Sequence, residues 1–165
     1  MGGFESFAAL VDYPVYVVTA AAGPDRAGCL VGFAGQCSIE PPRFVVWISK
    51  ANHTYTVASH ASILVVHLLP EARHDLAELF GGRTGDEVDK FATAAWQPGP
   101  HGVPVLTGAM AWFAGRVLER TDRGDGVDGG DHVGFVLEPL DATTTSHGRP
   151  LTYRDVQDID AGHPA

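Results

Sequence analysis

Six consecutive residues, Ser49-Lys50-Ala51-Asn52-His53-Thr54, place one cation among four polar side chains. The apolar run RFVVWIS ends at Ser49, and Asn52 is a good N-cap residue for the two helical turns predicted over HTYTVASH. A helix start offers unpaired N–H groups and a partial positive charge to an anion. Lys50 adds a full charge, and Ser49, Asn52 and Thr54 add hydrogen-bonding groups. In a chain with 11 Lys and Arg against 20 Asp and Glu, this placement reads as a phosphate corner. The same residues also read as an ordinary N-cap followed by a solvated lysine.

Other chemistry is less well supported. Gly124 to Gly129, GDGVDG, matches a dinucleotide fingerprint by letter, but its surroundings, TDRGDGVDGGD, carry four aspartates and no following helix. Such a loop repels a pyrophosphate, so it reads as a hairpin loop. No GxSxG nucleophile elbow is present. Of the eight histidines, none forms HExxH. His67 sits inside an apolar run and reads as a satisfied core residue, whereas His60 and His74 read as helix-surface residues. His132 follows the acidic loop and opens a strand, a position that suits either a functional side chain or a surface one. The two cysteines, Cys29 and Cys37, form no CxxC and read as buried free thiols.

The elements that must position these groups are mostly strands. PVYVVTAA, RFVVWIS, SILVVHLL, AMAWFAGRVLER and DHVGFVLEPLDA are short and rich in Val, Ile and aromatic residues. AGCLVGFAGQCS reads as an extended segment interrupted by glycines and closely approached by something. Helices are predicted over HTYTVASH, over EARHDLAELFGG with Gly81-Gly82 as a stop, and over TGDEVDKFA with Thr84 or Asp86 as cap. Five or six strands with short helices between them favour an antiparallel barrel over a doubly wound parallel sheet. The 165 residues suit one domain. A net charge of −9 argues against nucleic acid and anionic membrane surfaces as partners. The absence of a signal-peptide pattern and of a long apolar run leads to the expectation of a cytoplasmic protein.

Taken in order, GCLVGFAGQCSIEPPRFVVWISKANHTY, HDLAELFGG, DKF, GVPVL, GDH and the closing PLTY resemble the flavin reductase family, from about residue 12 to 153. The resemblance implies a mainly β fold, an FMN-binding split β-barrel, antiparallel and Greek-key-like with short flanking helices. It also implies a homodimer with a flavin near each subunit interface. The segment from Cys29 to Ser38 would run along the isoalloxazine ring, with Cys29, Leu30, Val31, Gly32, Gln36, Cys37 and Ser38 as contacts. The family commonly carries Thr, Ser or Asn early in this segment. Leu30, Val31, Gly32 and Phe33 stand there in this chain, which leaves the ring contacts mainly to the backbone. Ser49, Lys50, Asn52 and Thr54 match the phosphate segment, and Gly130-Asp131-His132 match the GDH motif, with His132 beside flavin or nicotinamide as the catalytic candidate.

The implied activity is an NAD(P)H-dependent flavin reductase that passes hydride from NADH or NADPH to FMN or FAD. Reduced flavin would then serve a separate monooxygenase. A non-catalytic flavin carrier is the alternative, and a split-barrel oxidase or haem protein a third reading. Hydride transfer needs ring positioning and no side-chain nucleophile, which agrees with the motifs found.

Overall fold

The computed structural model describes residues 2–82, 89–122 and 130–160. Seven antiparallel strands form the main sheet: β1 (Tyr16–Ala22), β2 (Asp25–Val31), β3 (Ala34–Ser38), β4 (Arg43–Ser49), β5 (Ile63–Leu68), β8 (Ala111–Arg120) and β9 (His132–Thr144). Their order is β2-β1-β5-β8-β9-β4-β3. A separate ribbon pairs β6 (Trp96–Pro98) with β7 (Pro104–Leu106). The helices are α1 (Gly3–Ala8), α2 (His53–Ala58), α3 (His74–Gly81) and α4 (Lys90–Thr93).

The connection from β2 to β3 decides the shape. These strands are consecutive in the chain, lie at opposite edges of the sheet, and are joined only by Gly32 and Phe33. Three peptide units reach at most about 11 Å. Opposite edges of a flat seven-stranded sheet would be about 29 Å apart. The sheet must therefore curl until its edges nearly meet. The Trp47 N–H donates to the Phe33 carbonyl at 2.8 Å, which ties this bridge to β4. The result is a curled antiparallel half-barrel.

Alternation along β1 feeds two cores. Val18 and Ala20 join Val46, Ile48, Leu64, Val66 and Phe135 in one apolar cluster. Val15 and Val17 face the other way, toward Leu76, Ala77 and Phe80 of α3 and Phe91 of α4. The turn from β1 into β2 has Gly23 at φ +58°, the sign a type II′ hairpin needs at its first central position.

The number of strands exceeds the five or six expected from sequence. The glycine-interrupted segment divides at Gly32-Phe33 into two strands, and β6 and β7 are too short to show a period. Asp89 caps α4 through Oδ1 and the Phe91 N–H at 3.0 Å. The expected caps Thr84 and Asp86, and the acidic loop Gly124 to Gly129, lie outside the described residues. Among the described residues, no helix is long and apolar enough to cross a membrane.

Candidate functional site

A cleft of about 450 Å³ opens where β2 leaves the sheet edge. Cys29, Leu30, Val31 and Gly32 form its wall, and Ser49, Asn52 and His132 close one end. The sheet register explains that end: Ser49 of β4 is paired with His132 of β9, and the Lys50 N–H donates to the Asp131 carbonyl at 2.9 Å. Gly130, at φ +87°, makes the turn that delivers His132 to this place. On the far side, Gly81 lets the end of α3 close onto the wall; a Cβ there would lie 2.8 Å from the Leu30 side chain.

Aromatic rings run along the rim. Tyr13 stacks on Tyr153 with centroids 5.1 Å apart, Phe33 lies 6.5 Å from Tyr13, and Phe33 and His132 are 5.0 Å apart. Their faces and the aliphatic wall give the cleft an apolar, ring-shaped character.

A second, smaller pocket of about 230 Å³ lies on the neighbouring stretch of β2; its lining carries both signs of charge, Arg26 and Lys90 with Asp25 and Asp89, beside Gly28 and Thr54. Thr54, which is buried, lines this pocket, and Cys29, whose thiol its side chain influences, lines the cleft. Lys90 is only 3% exposed, yet it has no carboxylate partner among the described residues. Its Nζ donates to the carbonyls of Gly28 and Phe80, at 3.1 and 3.0 Å. An ammonium carries three donors, and these two bonds use two of them. Arg26 lies 4.6 Å over the Trp96 ring at the same pocket.

The electrostatics follow burial. Desolvation holds the Lys90 ammonium below its usual range, with the Cys29 charge opposing weakly. Burial pushes the Cys29 thiol up to about 11, against the Thr54 hydrogen bond and Lys90, which makes it an inert wall residue. Asp131 is held below the usual carboxylate range, first by its hydrogen bond with His132 and then by that residue's charge. His132 Nδ1 sits 2.6 Å from Asp131 Oδ1, so Nε2 is the nitrogen left to meet a ligand.

Sequence reasoning placed several residues elsewhere. Lys50 is exposed in the turn after β4 and lines neither pocket. The backbone at Ser49–Asn52 spends its polar groups locally, with Asn52 Oδ1 accepting the Thr54 N–H at 2.9 Å and Ser49 Oγ accepting that of Ala51. Gln36, Cys37 and Ser38 also lie away from the cleft lining. The β3–β4 register shifts between Gln36 and Ser38, Gln36 donates to the Ser38 carbonyl, and Cys37 is exposed, so only Cys29 is a buried thiol. Lys90, Tyr153 and Phe33 lie in the DKF, PLTY and GCLVGFAGQCS segments that carried the resemblance but were assigned no contact there, and Tyr13 lies in none; tertiary packing brings all four to the site.

His67 is the core residue expected. Its Nε2 accepts the Leu106 N–H at 3.0 Å, so Nδ1–H donates to the Val17 carbonyl at 2.9 Å. His60 is exposed, and His74 pairs with Asp158 at 2.9 Å.

Such a half-barrel, with an apolar cleft beside a smaller charged pocket, defines a fold class that comparisons identify. Residues 8–159 match the model of the flavin reductase like domain. The chain belongs to that family. It is 33% identical over 106 residues to an NADH-dependent FMN reductase, RutF, of Methylorubrum extorquens, covering 64% of this chain and 51% of that protein. It is 27% identical over 147 residues to an NAD(P)H ferric-chelate reductase of Archaeoglobus fulgidus, covering 88% and 83%. The Streptomyces globisporus NADH:FAD oxidoreductase SgcE6 has the same fold, with a TM-score of 0.81, 21% identity and coverage of 93% and 88%. The chain thus spans about half the length of the RutF relative.

Proposed function

We propose that this chain is an NAD(P)H-dependent flavin reductase acting on FMN or FAD. The carrying observation is an apolar cleft rimmed by aromatic rings, adjoining a pocket that holds Arg26 and the buried Lys90. This arrangement suits a flat tricyclic ring joined to a phosphate. The names of the RutF and ferric-chelate reductase relatives support the same reading. When bound, the flavin would supply the redox chemistry, accepting hydride from NADH or NADPH.

The chain's own groups do the rest. Cys29, Leu30, Val31 and Gly32 present a smooth wall that excludes water and offers backbone N–H and C=O groups to the ring edge. Lys90 and Thr54 hold the phosphate, with Arg26 at the pocket's margin. Ser49 and Asn52 shape the end of the cleft. Asp131 fixes the His132 imidazole, whose Nε2 orients the nicotinamide amide or balances negative charge on the reduced ring. Delivery of reduced flavin to a separate monooxygenase, in the cytoplasm where reduced nicotinamide is supplied, completes the reading.

A homodimer belongs to the same proposal. Phe4, Phe7 and Leu10 are exposed at and just after α1, and Tyr16, Phe44, Trp112 and Phe113 line an apolar groove on the sheet. Sedimentation at twice the 17.5 kDa chain mass is expected, and a monomer at micromolar concentration would remove this part.

The deciding experiment is anaerobic titration of the purified protein, with FMN added, by NADH and by NADPH. Flavin absorbance near 450 nm should bleach with at least one of them. A bound flavin that neither nucleotide bleaches would mark a carrier and end the reductase reading.

A further inference from the structure

Phe33 is one residue past the ligand wall and has a different environment. Cys29 and Val31 are 1% and 3% exposed and make the floor of the cleft; Phe33 is 54% exposed at its mouth. Its backbone is fixed, because the carbonyl accepts the Trp47 N–H at 2.8 Å and the residue belongs to the two-residue bridge between sheet edges. Its ring touches two others at a tilt, 54° to His132 and 50° to Tyr13, so neither covers its face. A rigidly mounted aromatic with a free face beside His132 is a stacking platform.

We propose that Phe33 is a specificity-determining residue for the reducing substrate: its free face receives the flat nicotinamide ring after the flavin has taken the floor. This rests on the reductase reading above. The placement explains how a planar second ring is held next to His132 Nε2 although the wall itself offers the flavin only small and aliphatic side chains. Stacking on an aromatic side chain contributes enough that truncation to alanine costs about tenfold in apparent affinity. The platform needs an aromatic face and no particular polar group, so tyrosine serves in its place.

The test is steady-state kinetics with FMN and the preferred reduced nicotinamide for wild type, Phe33→Ala and Phe33→Tyr, together with FMN Kd from flavin fluorescence. In Phe33→Ala the KM for the nicotinamide should rise about tenfold while kcat and the FMN Kd stay within about twofold. Phe33→Tyr should restore the wild-type KM. The half-exposed position and the FMN Kd guard against a folding artefact. An unchanged or lowered nicotinamide KM in Phe33→Ala, or a loss of FMN affinity instead, overturns the platform while leaving the reductase intact. Wild-type protein that oxidises neither nucleotide overturns the reductase reading and the platform with it.

Discussion

Two lysines and two histidines divide between two regions, and the division sorts their roles. Lys90 and His67 are buried against the backs of β1 and β2, where their polar atoms are matched to backbone groups. Lys50 and His132 sit at the outer end of the β4–β9 pairing, within reach of solvent. In the buried region a polar group shifts its pKa and holds the fold as well as anything it binds. At the rim a polar group keeps its freedom and acts through what it meets. An exposed lysine beside a strand end is therefore weaker evidence for a phosphate site than one buried at the edge of a pocket.

Acid should separate the regions most strongly. Burial pushes the His67 imidazole down from 6.5 to about 4, with the Val17 hydrogen bond only partly opposing. The unfolded chain then binds the proton more readily than the folded one. Stability from this residue is complete above about pH 6.5 and is lost as pH falls through that value toward 4, by about 3 kcal/mol in all. Urea denaturation at intervals between pH 7 and 4 should show the decline, and His67→Gln, less stable at pH 7, should show a flatter one. Equal slopes for the two proteins would place the acid sensitivity elsewhere.

The lysines give the next effect. Lys90→Met, which keeps the apolar stem, should weaken FMN by about 1–3 kcal/mol while leaving riboflavin nearly unchanged. Lys50→Ala should change FMN affinity by no more than about 0.5 kcal/mol, as expected of an exposed charge. Isothermal titration with both flavins reads each number. The reverse ranking of the two variants would return the phosphate to the β4–α2 turn.

Much of the framework was legible because it is local. RFVVWIS spans β4 as expected, Asn52 caps α2, and the first half of the glycine-interrupted segment, Cys29 to Phe33, lines the cleft. The placement of His132 near that wall could be read from the GDH resemblance alone. The parts that were not legible depend on long-range closure. Lys90 enters the pocket because α4 packs behind β2, and Tyr13 and Tyr153 meet although 140 positions separate them. Sequence spacing likewise gives no hint that Gln36 and Cys37 lie outside the cleft lining.

The bridge of Gly32 and Phe33 sets a limit on how this protein can diversify. One piece of backbone serves both as the edge of the ligand wall and as the seam that shuts the half-barrel, so it has no slack to lend. Lengthening it to widen the cleft would open the seam as well. New ligand preferences must therefore arise by exchanging side chains along the seam; Gly32, where a Cβ would lie 3.1 Å from the Tyr13 ring, and the exposed ring of Phe33 are the first places where such exchanges would be felt.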